Sequence, residues 1–265
     1  MSLPDASTAS PEFLKVCCAD LWAHPGVRLL FGDALRPGGI ELTRRVLDDL
    51  ALPARSRVLD VGCGPGATLG ELARRGLHPV GVDYSAAMAA ESRELAVAAA
   101  GDAERLPFRS ETFDAVLMEC VLSAVPGKAA AAAEGARALV PGGALVLSDV
   151  TLEGQLPSPL DSFAGWIACA AGALATAGYV ELLEEAGLRI EWSEDHRGAL
   201  TDLVAQARRR LALLQGALAT NVLGQGDGVL APGMVELGQA LLGQAAEAAA
   251  DGTLGYTALV ARRPS

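Results

Sequence analysis

The strongest chemical signal in the sequence is a glycine-rich turn that directly follows an apolar run. Residues 57–61 include the acidic Asp60 and lead into Gly62, Gly64 and Gly66. Glycine lets the backbone approach a ligand closely, because it has no side chain and adopts conformations that other residues avoid. The residues after the turn place apolar side chains at helical spacing. The pattern therefore predicts a strand, a turn and a helix that cradle a cofactor at the carboxyl end of a sheet.

Cysteine thiols are the second group of side chains that could do chemistry. Cys120 follows one apolar run, Cys169 lies in a later segment, and Cys17 and Cys18 are adjacent near the amino terminus. Thiolates select soft, thiophilic centres, whereas free cysteines also pack as small buried hydrophobes. Both interpretations stay open for these four residues. No C-x-x-C pair is present, so the sequence indicates no structural zinc site and we expect no metal.

Residues 59–66, Leu-Asp-Val-Gly-Cys-Gly-Pro-Gly, resemble motif I of the class I S-adenosylmethionine-dependent methyltransferases. Further landmarks follow in that family's order: an acidic residue at Asp83, an acidic loop at 101–108 and a Pro-Gly-Gly turn at 141–143. The resemblance covers roughly residues 55–150. It implies an enzyme that transfers a methyl group, with S-adenosylmethionine as cofactor and S-adenosylhomocysteine as product.

The resemblance also implies which residues bind the cofactor. The acidic Asp83 is expected to accept hydrogen bonds from ribose hydroxyls, and Asp102 from the adenine amine. Tyr84 and Met88 are expected to flank the adenosine. The predicted cofactor residues are Asp60, Gly62, Cys63, Gly64, Gly66, Asp83, Tyr84, Ser85, Met88, Asp102, Ala103, Glu104 and Glu119.

The methyl acceptor is expected just beyond the fourth strand, at Met118–Ser123. The segments around Cys120 and Cys169 resemble those of arsenite methyltransferases, whose thiolates bind trivalent arsenic. This resemblance implies Cys120 and Cys169 as catalytic thiolates, with Cys17 or Cys18 as a third sulfur ligand of the substrate. The adjacent pair departs from that family's pattern. A methylated or other organic arsenical is therefore as open as inorganic arsenite.

Two other functions remain open. The first is a methyltransferase for a small organic oxygen, nitrogen or carbon acceptor, such as a quinone or a natural-product precursor. Glu119 would then be the acceptor-side catalytic carboxylate, able to act as a base. The second is a non-catalytic protein that binds the cofactor as a sensor or scaffold. An intact set of Asp60, Asp83 and Asp102 favours catalysis.

Composition restricts the partners. The chain has 265 residues, a formal net charge of −11 and no basic cluster beyond Arg208–Arg210, which disfavours nucleic acid. The first ten residues lack a signal-peptide or anchor pattern, so we expect a cytoplasmic protein without a membrane partner. Ser162–Val180 is uncharged but rich in Ala and Gly, and is expected to form a buried or site-lining helix. We expect a small-molecule substrate and a monomer or homodimer.

Apolar runs that alternate with helical patterns predict an α/β fold: a Rossmann-like, doubly wound, mainly parallel sheet of seven strands in a single domain. The resemblance implies that the last strand is antiparallel and lies beside the fifth. At the amino terminus, Ser10 is expected to cap a helix whose apolar face holds Phe13, Cys17 and Leu21. The predicted parts are an amino-terminal helical lid (1–50), a cofactor-binding core (51–195), a helical insertion (196–253) and the last strand (254–265).

Overall fold

Seven strands form one sheet in the computed structural model, in the order β3-β2-β1-β4-β5-β7-β6. The described residues are 9–32, 34–158, 160–162, 165, 169–219 and 232–265. The strands are β1 (Arg57–Val61), β2 (His78–Asp83), β3 (Val97–Ala100), β4 (Phe113–Glu119), β5 (Leu139–Leu152), β6 (Arg189–Asp195) and β7 (Leu254–Arg262). Strands β1 to β5 pair in parallel, and β7 lies antiparallel between β5 and β6. The predicted fold class and the antiparallel last strand are confirmed.

Helices cover both faces of the sheet. They are α1 (Pro11–Ala23), α2 (Pro25–Phe31), α3 (Gly39–Leu50), α4 (Ala67–Arg74), α5 (Ala86–Ser92), α6 (Lys128–Ala138), α7 (Thr176–Glu185), α8 (Arg197–Ala219) and α9 (Pro232–Asp251). Alternate residues of β1 pack on opposite sides: Val58 joins one buried apolar cluster, and Leu59 and Val61 join the other. A strand buried on both faces is an almost continuous apolar run, which is why these strands could be predicted.

The prediction of which face of α1 is buried was wrong. Phe13, expected inside, is 44% exposed. The residues that α1 buries are Leu14, Lys15 and Cys18. The helix turns this side inward because the Lys15 ammonium pairs with two carboxylates on the core. The start of the helix was predicted correctly, since the Ser10 hydroxyl accepts a hydrogen bond from the Phe13 amide at 3.2 Å.

The segment 162–180 is not one continuous helix. Part of it lies outside the described residues, but α7 begins only at Thr176, and residues 169–175 form turns and a bridge. Leu174 pairs in parallel with Thr151, which places this stretch beside the end of β5. Cys169 has a left-handed φ of 66°, a conformation that does not continue a helix. The expectation of a helix across 169–175 was therefore wrong.

The insertion before β7 forms two helices, α8 and α9, which pack on each other and on β7. Helix α8 also packs on α2. The glycine-rich stretch at 224–228, whose composition predicts a break in the helical insertion, lies outside the described residues. Within the ranges given above, no helix combines the length and the hydropathy needed to cross a bilayer.

Candidate active site

The turn after β1 is rich in glycine and borders a cavity. Gly62 has a φ of +70°, and a Cβ at this position would lie 2.6 Å from Cγ2 of Val121. Its amide donates to the Val82 carbonyl at 2.7 Å, which fixes the turn against β2. Gly64 has a φ of +52°, and no heavy atom lies within 4 Å of where its Cβ would be. A side chain at either position would be strained, and one at Gly64 would also project into open space, so the bare backbone faces the cavity.

Asp83 connects the end of β2 to this turn. Its carboxylate accepts hydrogen bonds from the amides of Gly64 and Ser85, each at 2.8 Å. Burial raises the pKa of Asp83, and these two amide donors partly oppose the shift. Each carboxylate oxygen can accept a further hydrogen bond. Asp83 lines the cavity and is placed to accept from a ligand's hydroxyl groups.

Asp60 is the buried acid of β1. It is 2% exposed, and its Oδ2 has no hydrogen-bond partner within the described structure. Burial raises the pKa of Asp60 well above its usual range, the nearby Glu119 carboxylate raises it further, and Arg36 partly lowers it. A buried oxygen without a partner costs stability. Because Asp60 lines the cavity, a donor on a bound ligand would satisfy it.

Glu119 ends β4 inside a cluster of hydrogen bonds. Its Oε2 lies 3.0 Å from Nη2 of Arg36. The hydroxyls of Thr43 and Thr68 donate to Glu119 at 2.7 and 2.8 Å. Burial alone would lower the pKa of Arg36, but the Glu119 charge raises it overall. With both oxygens engaged in this way, the Glu119 side chain has a structural role and is poorly placed to act as a base.

Helix α1 is attached to the acidic loops of the core. The Lys15 ammonium lies 2.8 Å from Asp102 and 2.7 Å from Glu104. The Tyr84 hydroxyl hydrogen-bonds to Glu12. Burial alone would lower the pKa of Lys15, yet hydrogen bonds to both carboxylates raise it overall. The amino-terminal helix therefore covers the loops that were predicted to hold the adenosine.

Cys18, Cys120 and Cys169 line the same cavity, whereas Cys17 does not. Cys120 has a φ of 56° and Cys169 a φ of 66°, both in the left-handed region. Non-glycine residues rarely adopt this strained conformation, and such residues cluster at functional sites. None of the five cysteines, all of them within the described ranges, forms a disulfide. The Cys120 sulfur lies 3.6 Å from the Tyr256 hydroxyl.

The surroundings of Cys120 and Cys169 favour the neutral thiol over the thiolate. Burial raises the pKa of Cys120 well above its usual range, and the Asp149 charge adds to this shift. A hydrogen bond with Cys18 raises the pKa of Cys169, and burial adds to it. In the described part of the chain, no group of three or more His, Cys, Asp or Glu side chains is placed to hold a metal ion.

Most of the predicted site residues meet at one cavity of about 380 Å³. Those that line it are Asp60, Gly62, Cys63, Gly64, Asp83, Tyr84, Met88, Asp102, Ala103, Glu119, Cys120, Cys169 and Cys18. Burial raises the pKa of the Cys63 thiol to about 12, and this thiol contacts the Ser92 hydroxyl at 3.6 Å. The Cys63 side chain therefore packs as a small buried group within the turn.

Four predicted residues do not line the cavity: Gly66, Ser85, Glu104 and Cys17. Gly66 packs on Leu95 and begins α4. The Ser85 hydroxyl accepts from the Met88 amide at 3.3 Å and caps α5. Glu104 is turned toward Lys15 and the Gly127 amide.

Arg36 and Lys15 were missed by sequence reasoning. Each is a single basic residue whose partners lie far away in the chain: Glu119 for Arg36, and Asp102 for Lys15. The one local sign for Lys15 is its place between apolar residues of an otherwise partly buried helix. No local pattern marks Arg36.

The far part of the cavity is apolar. Helices α1, α2, α8 and α9 supply much of its wall, including Trp22, Leu30, Phe31, Val204, Leu241 and Leu242. The carboxylates and the glycine turn lie at the other end, around β1, β2 and β4. One continuous cavity therefore joins a polar cradle to an apolar compartment.

A family profile described as "Methyltransferase domain" matches residues 59–147. A demethylmenaquinone methyltransferase of Beutenbergia cavernae is 39% identical over 125 residues, which are 45% of this chain and 52% of that protein. The chain spans about half the length of the curated relatives it matches.

Two solved structures resemble the whole chain. The first, Haemonchus contortus phosphoethanolamine N-methyltransferase 2 with phosphomonomethylethanolamine and S-adenosylhomocysteine, has a TM-score of 0.76 at 18% identity. The match covers 98% of this chain and 61% of that one. The second, the [4+2]-cyclase SpnF, has a TM-score of 0.71 at 20% identity, with 100% and 99% covered.

The fold is that of class I methyltransferases, and residues 59–147 match a methyltransferase domain, so S-adenosylmethionine is the cofactor to compare with the site. The site fits this molecule. The bare backbone at Gly64 leaves room for it, and Asp60 offers an unpartnered acceptor. Asp83 would accept from the ribose hydroxyls. Arg36, buried and cationic at the cavity wall, would face the carboxylate of the amino-acid end.

Proposed function

We propose that the protein transfers a methyl group from S-adenosylmethionine to an apolar small molecule with an oxygen, nitrogen or carbon acceptor. The observation that carries this proposal is the single cavity that runs from the cradle at Gly62, Gly64 and Asp83 to an apolar compartment. The relative named a demethylmenaquinone methyltransferase supports an acceptor of this kind.

When bound, the cofactor supplies a methyl group on a positively charged sulfonium, ready for attack by a nucleophile. The chain's own contribution is to bind, to orient and to exclude water. Holding two reactants in alignment replaces an encounter in solution and can supply a large part of the rate enhancement. The apolar wall and the α1 lid keep water out, which strengthens the electrostatic interactions within the site.

The two candidate bases beside Cys120, Glu119 and Tyr256, are not free to take a proton from the acceptor. Glu119 is engaged by Arg36, Thr43 and Thr68. Burial raises the pKa of Tyr256 well above its usual range, so its hydroxyl stays protonated beside Cys120. The best acceptor is therefore one that can bind already ionised, such as the monoanion of a hydroquinone, whose phenolate oxygen or adjacent ring carbon is the nucleophile.

A trivalent arsenical is a second candidate, favoured by one observation: Cys18, Cys120 and Cys169 line the same cavity. Two properties count against it. The raised pKa values of Cys120 and Cys169 disfavour the thiolates that arsenic binding needs. The described structure also lacks a three-residue group arranged to hold a metal ion.

Serine variants separate the two candidates. Under the main proposal, Cys120→Ser and Cys169→Ser keep methyl transfer to organic acceptors, because the thiols only line the wall. Loss of transfer to a trivalent arsenical in both variants, with S-adenosylhomocysteine binding intact, would instead establish the arsenical. Cys17→Ser is the matched control, because Cys17 lies outside the cavity.

A third candidate is a protein that binds the cofactor without methylating anything. The fold is shared with a protein described as a [4+2]-cyclase, so the fold alone does not fix the reaction. Cofactor binding without methyl transfer to any member of an acceptor panel would establish this function. The single domain, the cytoplasmic location and the monomer or homodimer remain proposals from the sequence.

A further inference from the structure

We propose that the apolar part of the cavity binds a hydrocarbon chain carried by the acceptor. This inference rests on the proposed function and narrows it: the substrate is amphipathic, with a polar reacting head at Cys120 and an alkyl or isoprenoid chain. The name apolar arm is used here for the part of the cavity lined by Leu30, Leu200, Val204, Leu241, Leu242 and Leu254.

The insertion before β7 builds most of the apolar arm. Among the described side chains of α8 and α9, eight line the cavity, and all eight are apolar or glycine. Three charged residues of α8, Asp202, Arg208 and Arg209, are exposed instead. The two helices thus present an apolar side to the cavity and a charged side to solvent. This pattern is expected of helices that enclose an apolar ligand site.

The arm is held in place by contacts that do not depend on a ligand. The Arg210 guanidinium of α8 donates to the Leu30 carbonyl near the end of α2 at 2.9 Å. The rings of Trp22 and Phe31 pack 5.6 Å apart at 60° and join α1 to α2. A wall braced in this way indicates a largely preformed compartment rather than a surface that must be ordered by its ligand.

The chemistry of the wall selects the occupant. Leucine and valine side chains offer no hydrogen bonds, so neither water nor a polar group gains by entering the arm. Cavities of this kind stay dry or take up hydrocarbons. The charged and hydrogen-bonding groups of the cavity lie at the cofactor end, around Asp60, Asp83 and Glu119. A small polar acceptor would not occupy the apolar arm.

Binding of a homologous series tests the proposal. We would titrate 4-n-alkylcatechols, from methyl to octyl, into the full chain saturated with S-adenosylhomocysteine. Each buried methylene is worth about 0.8 kcal/mol, which is about a fourfold gain in affinity. The affinity is expected to rise by about this factor per methylene until the arm is full. An affinity independent of chain length would overturn the proposal.

Filled variants show where the chain lies. Val204→Phe on α8 and Ala245→Phe on α9 place a ring in the arm and should end the rise at a shorter chain. Leu213→Phe is the matched control, since Leu213 is on α8 and 75% exposed. Wild-type chain-length dependence in both filled variants would also overturn the proposal, because the chain would then lie elsewhere.

Methyl transfer is read separately by mass spectrometry. A second outcome is binding that depends on chain length, a dependence that ends earlier in the filled variants, and no methyl transfer to any acceptor. This outcome would contradict the proposed function and support the apolar arm. If methylcatechol and octylcatechol are both methylated but bind with equal affinity, the apolar arm is contradicted and the proposed function stands. The expected result is transfer to both acceptors by the wild type and by the Leu213→Phe control, whose substitution lies outside the cavity.

Discussion

Arg36 and Glu119 form a buried ion pair at the floor of the cavity, with 3.0 Å between Nη2 and Oε2. Both side chains are less than 10% exposed. Thr43 and Thr68 complete the pair, each bridging the guanidinium and the carboxylate through its hydroxyl. The pair connects the loop before α3 to the end of β4. It also places two charged side chains on the part of the cavity wall that the amino-acid end of the cofactor would contact.

Removing Arg36 should destabilise the fold strongly. Arg36→Ala leaves the Glu119 charge buried without a partner, and breaking a buried pair in this way costs about 3–5 kcal/mol. The free energy of unfolding, measured with urea, checks this expectation. Arg45→Ala is the matched control, because its pair with Glu194 is largely exposed and such pairs contribute about 0–1 kcal/mol. Equal losses in the two variants would contradict a structural role for the buried pair.

Asp83→Ala should weaken S-adenosylhomocysteine binding by about 1.5–3 kcal/mol, because hydrogen bonds to a charged group are lost. Calorimetry measures the change. The control is Asp114→Ala. The Asp114 carboxylate also accepts from a backbone amide, that of Arg57 at 2.7 Å, but it lies outside the cavity. Unchanged affinity in the Asp83 variant would remove Asp83 from the ribose site.

Lys15→Met should loosen α1 without unfolding the core. The variant loses two charged hydrogen bonds, to Asp102 and Glu104, each worth about 1.5–3 kcal/mol. Amide hydrogen exchange of residues 11–23 is expected to speed up by about tenfold or more, while exchange in β1 stays unchanged. Asp20→Ala, a substitution of an exposed residue on the same helix, should leave the amide exchange rates of residues 11–23 unchanged. Equal protection in wild type and Lys15→Met would show that packing alone holds the helix.

Asp149 should make stability fall as the pH rises. Burial raises the pKa of Asp149 to about 6, while hydrogen bonds from Ser123 and the Val150 amide oppose the shift. The unfolded value is about 3.9, so the folded state holds the proton more tightly between these two values. Its contribution to stability is complete below about pH 4 and is lost as the pH passes about 6, a change of about 3 kcal/mol.

The variant Asp149→Asn isolates this contribution. The difference in free energy of unfolding between wild type and variant should shift against the wild type from pH 4 to pH 7. Ser123→Ala should enlarge the fall and extend it to higher pH, because it removes a 2.5 Å hydrogen bond that favours the ionised form. Parallel curves for wild type and Asp149→Asn would mean that Asp149 does not titrate in this range.

The sheet could be predicted because its signals are local. The run that forms β1 is bounded by the glycine turn, and residues 57–61, predicted as a strand, form β1. The residues after the turn, predicted as a helix, form α4. Strands buried on both faces and helices with one apolar side leave patterns that a single segment carries.

The site was predicted only where its chemistry follows a motif. The acids at Asp60, Asp83 and Asp102 stand at strand ends, where the topology gathers them. Arg36 and Lys15 could not be found, since their partners are distant in the chain and only packing brings them together. The buried side of α1 was wrong for the same reason: the charge pairs of Lys15, rather than hydropathy, orient the helix.

Methyl transfer itself tests the central claim most directly. The purified chain would be incubated with S-adenosylmethionine carrying a trideuterated methyl group and a panel of alkylated hydroquinones, catechols and amines. Mass spectrometry should find an apolar acceptor in which the labelled methyl replaces one hydrogen, with S-adenosylhomocysteine formed in equal amount. If the chain binds the cofactor but no acceptor gains the label, the proposed methyltransferase activity on apolar small molecules is contradicted.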